Sequence, residues 1–271
     1  MFFGSRLHVG LSLILAPAFL MPAYAQVGLG LSPMRTEVRL SAGARYSGAL
    51  TLTNDSAVKS RVSAELLDFY IDDTANPQFR RDWPSQAAFS CRKWLVINPM
   101  EAELDPQSQL IVRYSLRVPA DAAARGYHCA VGFSTLPVAA NLSDTGIRTA
   151  VRVVAAFYAT VGSPAVSGAL KSMRLDPVPE AEEPAWRATV VIENTGDVYF
   201  RPTGKLEIFD STGRLVRTAE FNPMPVLPRR EQAFPFPLQL RAGTYTMRAR
   251  VDLGLPEIQE ATATVVARNP E

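Results

Sequence analysis

Few residues in this chain are equipped for covalent or metal chemistry. His128 is the sole histidine after His8, and it directly precedes Cys129. A general-base histidine needs a nucleophile within hydrogen-bond reach and a carboxylate to orient it. The sequence places neither beside His128, which suits a strand residue turned to solvent or packed at an edge. Cys91, Cys129 and His128 are too few soft ligands for a zinc site. Asp72, Asp73 and Asp82 offer hard oxygen ligands of the kind a weak calcium site uses, although solvated loop charge is the simpler reading. Glu180, Glu182 and Glu183, and the pair Arg80-Arg81, read the same way. The chain has no G-x-S-x-G elbow, no H-E-x-x-H helix and no glycine loop for phosphate. Asn54-Asp55-Ser56 and Asn141-Leu142-Ser143 match a glycosylation acceptor, a pattern common by chance. No catalytic residue, no cofactor and no metal are expected, and the chain is read as a non-enzyme.

The residues before Gln26 set the compartment. Arg6 and His8 precede the apolar run Val9 to Met21, and Ala23-Tyr24-Ala25 forms an A-x-A site. That is the layout of a cleaved secretory signal over residues 1–25. The run is short for a spanning helix of about 20 residues and is interrupted by Pro17 and Pro22. No later stretch is apolar enough to span a bilayer, so no membrane span is expected in the mature chain. In an exported protein the even pair Cys91 and Cys129 reads as a disulfide closing a loop of about 38 residues, worth about 3–4 kcal/mol; two buried thiols are the rival. Lys and Arg total 28 against 26 Asp and Glu. No basic run exceeds Arg229-Arg230, so the chain lacks the footprint of a nucleic-acid partner.

The elements that must position these residues are strands. Ser47 to Thr53 alternates, as does Gln109 to Val118, where Leu110, Val112, Tyr114, Leu116 and Val118 share one face. Ser60 to Ile71, Trp94 to Ile97 and Ala130 to Leu136 add further strands, and Pro119 to Arg125 has some helical character. Ile147 to Val161 is the longest. Its odd positions are nearly all apolar, and its even positions change from Arg148 and Arg152 to Val154, Ala156 and Tyr158. Such a strand is half exposed at its start and buried on both faces later. About seven short strands before Gly162 fit an immunoglobulin-like sandwich, and Tyr127 two residues before Cys129 has the spacing of a tyrosine corner. After Gly162-Ser163-Pro164 the pattern restarts. Val166 to Leu175, Trp186 to Glu193, the hairpin around Asp210-Ser211-Thr212-Gly213 and Gly243 to Val251 lead to a final strand, Ala261 to Ala267. The stretch Pro223 to Pro237 carries five prolines that should break strands. The expected architecture is all-β: two consecutive immunoglobulin-like β-sandwich domains, 26–162 and 163–271, the second immunoglobulin- or fibronectin-like, after the cleaved signal.

Residues 29–161 resemble the periplasmic chaperones that assemble pili by the chaperone–usher route. The likeness runs through Leu31 to Thr36, Gly43, Leu50 to Asn54, Trp94 to Pro99 and Leu104 to Gln107. It continues through Ile111 to Arg113, Val118-Pro119, Gly126-Tyr127, Gly132-Phe133 and Val153 to Tyr158. The resemblance implies two domains meeting at an angle, with the first domain's last strand lent to an incomplete subunit by β-strand addition. It also implies a basic pair in the interdomain cleft that grips the subunit's C-terminal carboxylate. The strand-A arginine falls on Arg35 or Arg39. The family's last-strand lysine falls on Ala155, with Arg152 nearby as a substitute. Val151 and Val153 complete the expected partner-contact residues. The segment before Ile147 that would be donated is polar here. The implied partners are secreted or pilin-like protein subunits and an outer-membrane usher, and the implied place is the periplasm. The alternative is a non-enzymatic cell-envelope scaffold or adhesion module built from the same domains.

Overall fold

The structure, a computed structural model, describes residues 28–136, 150–178 and 185–268. Alternation of apolar and polar residues becomes 17 strands there. In the first half these are β1 (Leu29–Ser32), β2 (Arg35–Leu40), β3 (Arg45–Asn54), β4 (Ser60–Ile71), β5 (Pro77–Arg80), β6 (Leu95–Asn98), β7 (Glu101–Leu104), β8 (Ser108–Arg117), β9 (Gly126–Leu136) and β10 (Arg152–Val161). They form two facing sheets. Sheet I runs β1-β3-β8-β6, and sheet II runs β2-β10-β9-β4-β5 with β7 also on β4. The chain crosses from sheet I to sheet II between β1 and β2, at the cis Ser32–Pro33 bond. Inward rows close the core: Leu50 and Leu52 of β3, Val112 and Leu116 of β8, Phe133 of β9 and Phe157 of β10 are at most 2 % exposed.

Cys91 and Cys129 are joined as a disulfide, with Cα atoms 5.2 Å apart, which ties the segment before β6 to β9. Trp94 lies against Tyr127, ring centroids 4.2 Å apart, and the Tyr127 hydroxyl donates to the Ala123 carbonyl at 3.1 Å. The segment Pro119 to Arg125 is a turn followed by bends rather than a helix. The end residues of the long strand, Ile147 to Thr149, lie outside the described residues, as do residues 1–27, Asn141 to Ser143 and Glu180 to Glu183.

The second half repeats the plan. Strands β11 (Gly168–Pro177), β12 (Ala185–Asn194) and β15 (Glu231–Gln239) form one sheet. Strands β13 (Thr203–Asp210), β14 (Leu215–Glu220), β16 (Gly243–Asp252) and β17 (Gln259–Ala267) form the other, in the order β14-β13-β16-β17. Two local devices recur. Asn54 at the end of β3 donates to the Val58 and Leu104 carbonyls, and Asn194 at the end of β12 donates to those of Val198 and Val226. Both are buried, and each fixes the loop after its strand. Tyr245 likewise donates to the Arg241 carbonyl four residues back, as Tyr127 does to Ala123.

The proline-rich stretch is a correction. β15 runs straight through Pro235 and Pro237. β15 is an edge strand paired only with β12, and Arg230, an even position, sends its carbonyl to Asn194 on that partner. Odd positions face away from β12, so the two prolines lack only amides that had no ladder partner.

Candidate functional site

β10 is flanked unequally. Antiparallel pairing with β9 runs from Arg152 to Thr160, but the parallel pairing with β2 begins only at Ala156. The Ala156 amide donates to the Met34 carbonyl and that of Gly162 to Leu40, while Val161 donates to Arg125 on the β9 side. Even residues therefore point their backbone groups toward β2, and by the alternation of a strand Arg152 and Val154 point theirs the same way. No described strand lies opposite them. Among the described residues this is a short edge whose N–H and C=O groups have no backbone partner.

The side chains follow the same parity. Odd residues Ala155, Phe157, Ala159 and Val161 enter the first core. Even residues Val154, Ala156 and Tyr158 face outward with Leu67 and Phe69 of β4 and Ala130 of β9. That second apolar face is partly covered by the second sandwich, through Leu227 and Tyr199. The Tyr158 ring meets Phe69 edge-on at 5.6 Å and Tyr199 at 4.8 Å. What remains uncovered is a cleft of about 470 Å³, walled by Phe69, Phe79, Val154 and Tyr158 on one side and by Met224 and Pro225 on the other. It opens beside the unpaired edge.

Charge gathers at one wall. Glu37 of β2 lies 3.3 Å from the Arg35 guanidinium and 2.9 Å from that of Arg201, and it accepts the Tyr199 hydroxyl at 3.1 Å. Arg201 also donates to the Pro223 carbonyl and lies over the Tyr158 ring at 5.0 Å. Burial, with the Glu37 carboxylate behind it, pushes the Tyr199 phenol well up, and burial also raises Tyr158. Both stay protonated, and Tyr199 stays a donor. Elsewhere the two sandwiches meet through the Gly126 amide on the Asp197 carbonyl and Gln232 on the Asp72 carbonyl.

The residues expected from the sequence fall as follows. Arg35 stands on the cleft wall, paired in register with Ala156. Arg39 shares its face, opposite Thr160, exposed and without an ion pair among the described residues. Arg152 lies at the open edge but reaches across β9 to Glu65 of β4, at 2.9 Å, where Arg81 also binds. It crosses at Gly132, where a Cβ would sit 2.7 Å from Arg152 Nε; only the missing side chain leaves room. Val151 and Val153 pack partly buried on the first core, and Val153 also lines the cleft. Ala155 is 1 % exposed and faces that core, so the position carries no cation into the cleft. Sequence reasoning missed Glu37, Tyr199 and Arg201, the last two more than 160 residues from Glu37 in the chain. Phe69 was legible in principle, because β4 is apolar on both faces.

His128 is a second correction. It is 2 % exposed, edge-on to Phe69 at 5.1 Å, with Nδ1 lacking a hydrogen-bond partner. Neither solvent nor a sheet edge reaches it, because β9 is covered on both faces along Gly126 to Phe133. Burial lowers its pKa to about 4 against a hydrogen bond to the Phe69 backbone. Asp72 caps its own turn: one oxygen accepts the Thr74 and Asn76 amides and the other accepts Gln78. Among the described residues no cluster of three His, Cys, Asp or Glu is placed to hold a metal, and no helix is long and apolar enough to cross a membrane.

No family model and no curated protein matches the chain. Among solved structures it is similar to the class 5 fimbriae chaperone CfaA, at 10% identity over 90% of this chain and 100% of that one, with a TM-score of 0.45. It is similar to the E. coli chaperone DraB at 16% identity over 87% and 96%, TM-score 0.42. It is also similar to a chain in the Salmonella enterica complex of SafA pilin with the SafB chaperone, at 14% over 90% and 98%, TM-score 0.42.

Proposed function

We propose that this protein is a non-catalytic, periplasmic chaperone-like protein that receives a strand-deficient secreted or pilin-like subunit along the open edge of β10. The observation that carries the reading is that, among the described residues, the backbone of Arg152 and Val154 has no partner on the side beside the apolar cleft. An incoming strand would gain main-chain hydrogen bonds from the edge, and its alternate side chains would find apolar walls. Arg35 and Arg201 supply cations for a terminal carboxylate, which would compete with Glu37 for them. In this proposal residues 1–25 are the export signal, 26–162 and 163–271 the two domains, and an outer-membrane usher a further partner.

The test is to recover the tagged full chain from the periplasm, alongside a Val154→Pro variant, and identify what accompanies each. A subunit lacking a strand, held by the wild type and lost from the variant, is the expected result. Recovery of no such subunit, with secreted subunits unaffected by loss of the protein, would reject the chaperone role and leave the scaffold or adhesion module.

A further inference from the structure

Sheet I has an outer face that the cleft does not use, and its charge is one-sided. Register pairs Arg45 of β3 with Arg117 of β8, Ser47 with Ser115, and Ala49 with Arg113, whose other neighbour is Asn98 of β6. These rows point away from the core, which takes Leu50, Leu52, Val112 and Leu116 instead. None of the outward residues of β1, β3, β6 and β8 is acidic. Arg45, Arg113 and Arg117 are exposed, and among the described residues none has an ion-pair partner. The three arginines line one hollow of about 560 Å³ together with Ser47, Ala49, Val96, Asn98 and Ser115.

Like charges directly opposite one another on a sheet destabilise it, so the Arg45/Arg117 pair does not serve the fold. A guanidinium is shaped to take a carboxylate through two parallel hydrogen bonds. Arg113 and Arg117 are four residues apart on one strand, about 13–14 Å at the rise of a strand. The cations are thus set along a line rather than around a point, and hydroxyl and amide groups stand between them. The volume suits a small ligand, and the aromatic residue on its lining, Tyr114, is buried in the first core rather than presented as an anchor for a protein partner.

We infer that the outer face of sheet I binds a linear acidic polysaccharide, with Arg45 and Arg117 holding one carboxylate and Arg113 another. The site is separate from the β10 edge and does not depend on the chaperone reading. The experiment titrates the purified chain with an oligogalacturonate of about six units by calorimetry, at low and at physiological salt. Arms of equal charge use polyphosphate, a single-stranded oligonucleotide and anionic phospholipid vesicles. The expected result is binding of the oligogalacturonate that weakens with salt. An Arg113→Gln/Arg117→Gln variant should weaken it at least tenfold, about 1.4 kcal/mol, while Arg39→Gln leaves it unchanged. Both arginines are exposed, and Arg117→Gln removes a like-charge contact, so the melting temperature should hold or rise. No binding of the uronate, equal binding by the double variant, or tighter binding to any of the other three anions overturns the inference.

Discussion

Acidification should destabilise the first sandwich through His128. Its unperturbed pKa is about 6.5 and its folded value about 4. Between those values the unfolded chain binds a proton there that the folded chain refuses, so stability rises with pH across that window. The contribution is complete above about pH 6.5 and is lost as pH falls to about 4. At 1.36 kcal/mol per unit, the full swing is about 3 kcal/mol, a sizeable share of the 5–15 kcal/mol typical of a folded domain. The physical cause is burial that a hydrogen bond to the Phe69 backbone offsets only in part: the ring is sealed against Phe69, and Nδ1 has no hydrogen-bond partner. Wild type and His128→Gln should be unfolded in urea at several pH values from 4 to 7.5, followed by tryptophan fluorescence, to which Trp94, packed against Tyr127 in the same sandwich, contributes. Carboxylates common to both proteins cancel in the difference. The variant should gain about 3 kcal/mol relative to wild type as the pH drops through the window. Parallel curves would refute the burial argument.

Backbone direction along β10 makes a paired prediction. Val154→Pro deletes an amide that faces the open edge and should leave the melting temperature nearly unchanged. Val153→Pro deletes one facing β9 and should cost about 1–3 kcal/mol, read by thermal unfolding; equal effects would contradict the parity. Replacing Cys91 and Cys129 together by alanine should lower the first sandwich's stability by about 4 kcal/mol, from a closed loop of 38 residues. Reduction of the wild type under urea should give the same shift. Glu37→Ala strands the Arg201 and Tyr199 donors at the interface and should cost about 1–3 kcal/mol. A double-mutant cycle with Arg201→Ala should return a coupling of at least about 0.5 kcal/mol, and strict additivity would show that Glu37 does not join the sandwiches.

Much of the scaffold was written in local pattern. Period-two alternation in Gln109 to Val118 marks a strand whatever surrounds it, because successive side chains must leave opposite faces of the chain. Tyr127 two residues before Cys129 announced a tyrosine corner, a device of fixed short spacing, and the even cysteine pair of an exported chain announced the disulfide. The change in Ile147 to Val161 from arginine to apolar residues at even positions already said that β10 would be covered on its second face. It did not say by what.

That is where sequence stops. Alternation tells which side chains share a face, but what covers a face depends on chain far away in sequence. The cleft exists because Tyr199, Arg201 and Leu227 are carried onto the outer face of sheet II by a separate sandwich. The edge of β10 is open because β2 joins it only from Ala156 onward, a matter of where one parallel strand starts. His128 is buried, and Pro235 and Pro237 sit comfortably in a strand, for the same reason. Each depends on which neighbour lies beside the backbone, and hydrophobic pattern carries no record of neighbours. Even the three arginines of sheet I, spread from Arg45 to Arg117, become one surface only when β3 and β8 pair.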